Sequence, residues 1–137
     1  KKIAVLGFSF KANTNDTRES AGIQICKDLL IEGAELIIHD PIVHESQIGI
    51  DLGIGNNEKD YNLYEGFWYS AKEIKDVFKN AYAVVILTEW DEYSKINWSK
   101  FSKVMKKPGW VFDSRSIINR DEVIKSGLNF WRIGDGI

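Results

Sequence analysis

The sequence predicts a doubly wound α/β fold, a Rossmann-like parallel sheet in the strand order 3-2-1-4-5-6, and three observations carry that expectation. Apolar runs such as Ile3 to Phe8 and Ala83 to Leu87 are continuous rather than alternating, as central parallel strands covered on both faces require. Segments of helical period separate these runs, so strands and helices alternate along the chain. Right-handed crossovers then favour the order 3-2-1-4-5-6, with the switch point between the first and fourth strands.

The first strand is read as Lys2 to Phe8. After a polar stretch, Ile23, Ile25, Cys26, Leu29, Leu30 and Ile31 recur at helical spacing, and Gly33 supplies a left-handed stop before a second strand, Glu35 to His39. Asp40-Pro41 ends that strand, because proline fixes its own φ and removes a donor. From Ile42 to Gly66 the pattern is poor; a short element near Gln47 to Leu52 is expected, with looseness after it. Phe67 to Tyr69 form a brief third strand, and Ser70 with Glu73 matches a capping box for a helix over Ala71 to Asn80. The fourth strand, Ala83 to Thr88, is rich in β-branched residues and free of charge. Asn97 caps a short helix carrying Trp98, Phe101, Val104 and Met105, which Pro108-Gly109 breaks before a fifth strand, Trp110 to Asp113. Asn119 or Asp121 opens a last helix through Ile124, Gly127 closes it, and Leu128 to Ile133 is the sixth strand.

At 137 residues, 44% hydrophobic and 28% charged, the chain reads as one globular domain, residues 1–137. Lys and Arg number 18 against 20 Asp and Glu, and the net charge of −2 argues against a general binder of phosphate backbones, so no nucleic acid is expected as partner. The apolar runs are too short to span a bilayer, and Lys1-Lys2 leads straight into a strand, so neither a membrane segment nor a signal peptide is expected. A single cysteine, Cys26, allows no internal disulfide and fits a reducing, cytoplasmic setting. It lies among the apolar positions of the first helix and reads as a small hydrophobe, not a nucleophile. His39 and His44 lack acidic or thiol partners at ligand spacing, so no metal site is expected.

Ligands of such sheets bind beyond the carboxyl ends of the strands, which directs attention to the residues after Phe8, Thr88 and Asp113. The turn after the first strand lacks the G-x-G-x-x-G of a dinucleotide cradle. A long polar loop instead carries Lys11 and Arg18 to that edge, with Ser20 opening the helix behind it; the loop suits a diphosphate or is a solvated connector. Arg115 follows the fifth strand, where a guanidinium suits phosphate or sugar oxygens, or pairs with Asp113. Asp40 stands where dinucleotide folds place an acid on a ribose hydroxyl, but Pro41 favours a turn-forming role. Glu89-Trp90-Asp91 could cover a base, meet another domain, or fill a gap.

Taken together, Gly7-Phe8-Ser9-Phe10-Lys11 with Asp16-Thr17-Arg18-Glu19-Ser20, Thr88-Glu89-Trp90-Asp91 and Phe112-Asp113-Ser114-Arg115 resemble the UDP-glucose/GDP-mannose dehydrogenase family, and the Thr-Glu-Trp-Asp block resembles its UDP-glucose branch. The likeness implies part of an enzyme that oxidises UDP-glucose to UDP-glucuronate with two NAD molecules, in which this domain binds the UDP-sugar. It implies that Phe10, Lys11 and Arg115 contact substrate and that Arg18 reaches the cofactor held by an N-terminal NAD-binding domain. It also implies a C-terminal fragment of a homo-oligomeric dehydrogenase, without the segment bearing the nucleophilic cysteine or the long helix of dimerisation. Ala12, Asn13, Asn15 and Ser114 depart from the family's usual lysine, aspartate, glycine and glycine; the loss of the lysine at Ala12 bears on fine sugar preference, not on the binding of a nucleotide sugar. A dehydrogenase of UDP-N-acetylmannosamine or GDP-mannose is the alternative within the family. A non-catalytic nucleotide-binding module is the alternative outside it.

Overall fold

A computed structural model describes residues 1–133. The strands β1 (Lys2–Leu6), β2 (Glu35–His39), β3 (Phe67–Ser70), β4 (Ala83–Ile86), β5 (Trp110–Asp113) and β6 (Asn129–Arg132) form one parallel sheet ordered β3-β2-β1-β4-β5-β6, as the crossover rule predicts. The helices are α1 (Ala21–Ile31), α2 (Glu45–Leu52), α3 (Trp98–Phe101) and α4 (Arg120–Lys125).

The central strands are uniformly apolar because successive side chains enter two different cores. Val5, Leu36 and Ile38 pack with Cys26 and Leu30 of α1 and Ile48 of α2. Ala4, Leu6, Val84, Ile86 and Val111 pack on the opposite face with Phe78, Trp98 and Val123. Phe78 is fully buried, stacked on Phe101 at 4.3 Å and edge-on to Trp98 at 5.9 Å. A phenyl ring so placed contributes about 1.5–3 kcal/mol through burial.

Local chemistry sets most boundaries as the sequence implies. The Ser20 hydroxyl caps α1 by accepting from the Gly22 amide, and Gly33, at φ +93°, turns the chain into β2. Asn97 caps α3 and Asn119, not Asp121, caps α4. Strands β1 and β4 end at Leu6 and Ile86, two residues before the strands expected from the sequence do. There the chain leaves the sheet but stays in the core, with Phe8 and Thr88 fully buried.

Two expectations fail. The helix over Ala71 to Asn80 is absent; that stretch holds only a 3₁₀ turn, Ile74–Asp76. Its capping box does not form, since the Ser70 hydroxyl donates to Glu45 at 2.8 Å and Glu73 is extended. The segment instead passes through bends and that one turn on its way from β3 to β4, and it buries Val77 and Phe78. The segment after α2 is also not loose. The Trp68 indole donates to the Ile54 carbonyl at 2.8 Å and the Tyr64 hydroxyl to the Leu52 carbonyl at 2.6 Å, so two buried aromatics pin it to the core.

Candidate functional site

β1 and β4 run side by side where the strand order reverses, and the crevice at such a switch point is where sheets of this type take ligands. Gly7 makes the turn at φ +97°, donating its amide to the His39 carbonyl at 2.8 Å. A Cβ at Gly7 would lie 2.3 Å from the Thr88 Cβ, so the missing side chain makes room for Thr88 and not for a pyrophosphate. The Thr88 hydroxyl donates to the Ser9 carbonyl at 2.9 Å and closes the crevice floor. With no glycine cradle and its one tight approach already filled, this turn does not fit a dinucleotide.

The loop from Phe8 to Ser20 folds back on itself. The Phe10 amide donates to the Asp16 carbonyl at 2.7 Å, and the Ser9 hydroxyl donates to the Lys11 carbonyl at 2.9 Å. Asn13 and Glu19 adopt left-handed backbone conformations at φ 65° and 62°, the first a residue type that tolerates it well. Phe10 and Lys11 stand exposed at the crest. Arg18 is 88% exposed and forms a bidentate pair with Asp16 through Nε at 3.0 Å and Nη2 at 2.9 Å. That side-chain pairing, reinforced by the Arg18 backbone amide, pulls the Asp16 carboxyl down to about 2. Phe10, Asp16, Arg18 and Glu19 line a hollow of about 250 Å³.

Arg115 is held differently. Its Nε donates to the Leu87 carbonyl at 3.0 Å, its Nη2 to the Phe10 carbonyl at 3.1 Å, and its Nη1 lies 3.8 Å from Glu89. One guanidinium thus ties together the loops after β1, β4 and β5. A guanidinium has five N–H groups, and the two carbonyls use two, so donors remain for an anion at the surface. The other Glu89 oxygen accepts from the Ala12 amide at 3.1 Å, so Glu89 braces Arg115 and the Lys11 turn together.

An Asp113–Arg115 ion pair does not form. The fully buried Asp113 carboxylate accepts from the amides of Arg115, Ser116, Ile117 and Ile118 at 2.8–2.9 Å, and its ionic partner is Arg132 at 3.4 Å. Arg132 also donates to the Ile118 carbonyl. Phe10 and Arg115 are therefore in direct contact with Lys11 adjacent, whereas Arg18 bonds only to Asp16 and meets Phe10 across the hollow they both line. Sequence reasoning missed Glu89 as a brace and Asp113 as a loop anchor; an acid ending each strand was the available signal.

Two titratable groups, Cys26 and His39, lie in the core. Burial pushes the Cys26 thiol up to about 12, which leaves it protonated and inert. Burial lowers the His39 pKa, and its ring Nδ1 shares a 2.9 Å hydrogen bond with the Tyr93 hydroxyl. Among the described residues no cluster of His, Cys, Asp and Glu could hold a metal, and no helix is long and apolar enough to cross a membrane.

These features define a class: a doubly wound α/β domain with an arginine-braced ligand edge at its switch point and no dinucleotide cradle of its own. Within it, the chain belongs to the UDP-glucose/GDP-mannose dehydrogenase family, whose UDP binding domain it matches over residues 4–120. It is 40% identical over 143 aligned positions to UDP-glucose 6-dehydrogenase 3 of Arabidopsis thaliana, covering 98% of this chain and 30% of that one. It is 39% identical over 142 positions to UDP-glucose 6-dehydrogenase 3 of Oryza sativa subsp. japonica, with the same coverage. Among solved structures, the NDP-N-acetyl-D-galactosaminuronic acid dehydrogenase of Methanosarcina mazei superposes with a TM-score of 0.72 at 26% identity, over 98% of this chain and 24% of that one. The chain spans about 30% of the length of the curated relatives it matches.

Proposed function

We propose that this chain is the UDP-sugar-binding, C-terminal domain of an NAD-dependent UDP-glucose 6-dehydrogenase that makes UDP-glucuronate for polysaccharide biosynthesis. One observation carries the reading: Arg115 is fixed at the switch point by the Leu87 and Phe10 carbonyls, with donors to spare beside Lys11. In this role Arg115 and Lys11 bind the anionic and hydroxyl oxygens of the nucleotide sugar, and the exposed Phe10 ring flanks it. The names of the plant relatives support glucose as the sugar.

Two hydrides leave the sugar C6 in succession, and NAD is the group that accepts them when bound. The turn after β1 does not fit that cofactor, so an N-terminal domain of the same enzyme would hold it. Arg18, exposed and paired only to Asp16, is the group of this chain placed to reach across to it. A cytoplasmic, homo-oligomeric enzyme completes the reading.

Titration of this chain with UDP-glucose, UDP-glucuronate, GDP-mannose, UDP-N-acetylmannosamine and NAD tests it. Binding of the glucose-derived ligands above the others is expected; preference for UDP-N-acetylmannosamine would transfer the assignment to a dehydrogenase of that sugar. No NAD reduction is expected from the chain alone with UDP-glucose. Reduction that Cys26→Ser abolishes would overturn the reading of Cys26 and of the chain as a binding domain.

A further inference from the structure

We infer that Asp40 is a positioning residue for the nucleotide sugar, its carboxylate setting the shape of the turn that presents Phe10 and Lys11. The inference rests on the proposed function and deepens it. Asp40 directly follows β2, where a dinucleotide fold would turn an acid toward a ribose. Here the carboxylate has no capacity left for one. Oδ2 accepts from the Phe8 amide at 2.8 Å, the Ser9 amide at 3.0 Å and the Trp90 indole at 3.3 Å. Oδ1 accepts from the Ile42 and Val43 amides, each at 2.9 Å. An ionised carboxylate offers about four lone-pair directions, and five donors already converge on this one.

Three loops meet at that single group: those after β1, β2 and β4. The amides of Phe8 and Ser9 lie just past the last sheet rung, made by Gly7, in residues that are 0% and 1% exposed. No strand can serve them, and a buried amide left unpaired is costly, so the carboxylate decides where the chain goes next. Two residues later come Phe10, whose carbonyl seats Arg115, and Lys11. A change at Asp40 therefore propagates to all three candidate substrate contacts without touching the ligand.

Asparagine is the informative substitution because it is nearly isosteric and has only one acceptor oxygen. In one amide orientation its NH₂ faces the Phe8 and Ser9 amides; in the other it faces those of Ile42 and Val43. Each orientation forfeits one loop, so the turn before Phe10 loses its single shape.

The test is calorimetric titration of UDP-glucose into this chain and its Asp40→Asn variant, well below the melting temperature of either, with amide hydrogen exchange read at Phe8 and Ser9. The variant should bind at least ten-fold more weakly at unchanged stoichiometry, with faster exchange at those two amides. A merely structural Asp40 would lower the melting temperature and leave the affinity of the folded protein unaltered, and that result would overturn the inference alone. Should Asp40→Asn fail to fold, Trp90→Phe removes one donor from the same oxygen; at least two-fold weaker binding is expected, and unchanged affinity overturns the inference. If the unsubstituted chain binds neither UDP nor UDP-glucose, the proposed function falls as well.

Discussion

The loops after β1 and β5 both bring an arginine to the ligand edge, yet they are built on opposite plans. The β5 loop is short and wound around Asp113, whose carboxylate takes four consecutive amides and an arginine in full burial. Arg115 leaves that loop already fixed. The β1 loop is long, held at its base by Asp40 and at its middle by the Phe10–Asp16 backbone bond and the ties from Arg115 and Glu89, and Arg18 rides on its last part with a single, half-buried partner. On the proposed function, the difference separates two tasks. A group that must recognise one ligand in one pose gains from being ordered in advance, because binding then does not have to order it. A group that meets something outside the domain does not need that order until the partner arrives.

The contrast breaks most severely at Asp113. Replacing it by alanine leaves four amides and the Arg132 guanidinium without their acceptor in a buried site, and unfolding should become easier by about 3–5 kcal/mol in urea titration. A loss under 1 kcal/mol would mean that water replaces the carboxylate and that the loop is not anchored as described.

Gly7→Ala attacks the base of the β1 loop. It places a methyl 2.3 Å from the Thr88 Cβ at a residue with φ +97°, and should cost about 2–4 kcal/mol on the same titration. Wild-type stability there would show that the crevice floor can open, and would return a ligand role to the glycine turn.

Arg115→Ala should weaken binding or turnover of the nucleotide sugar by about 1.5–3 kcal/mol, the scale of a charge-assisted hydrogen bond, with a smaller change in stability. Equal losses in both would make Arg115 a structural tie between loops and nothing more.

The parts of this architecture that could be read from the sequence are those that burial writes into it. Continuous apolar runs announce strands whose alternate residues enter two cores, as Val5 and Leu6 do. Helical spacing finds α1 but draws its face too wide. Gly22, Cys26 and Leu30 meet the sheet at intervals of four, while Ile25 and Ile31 lie 36% and 53% exposed. Capping chemistry misleads at Ser70-Glu73 because Ser70 belongs to β3 and its hydroxyl is taken by Glu45, a partner no local pattern reveals. At the site, Lys11 and Arg115 could be found from their places after central strands. The carboxylates that shape their loops could not, since an aspartate accepting backbone amides leaves no periodic trace and looks like any acid beside a turn. Asp40 beside Pro41 was legible as a turn former, and two of its five bonds are of that kind.

The smallest effect belongs to the Asp16–Arg18 pair, and it tests whether Arg18 is as free as its exposure suggests. Arg18 holds the Asp16 carboxyl at about 2, below the ordinary value near 3.9. A carboxyl depressed in the folded state adds stability above its unfolded value and gives it up as pH falls from about 4 through about 2. Arg18 is exposed and Asp16 partly so, so solvent and salt screen the pair and the melting temperature should barely respond to Arg18→Ala at pH 7. The titration itself should respond clearly. Carboxyl carbon shifts of Asp16 should move with a midpoint near 2 in the parent and near the ordinary value in Arg18→Ala. A parent midpoint already near 4 would mean that the two side chains are not paired in solution. Arg18 would then be as unordered as a solvated connector implies, and the contrast with Arg115 would be sharper than the structure draws it.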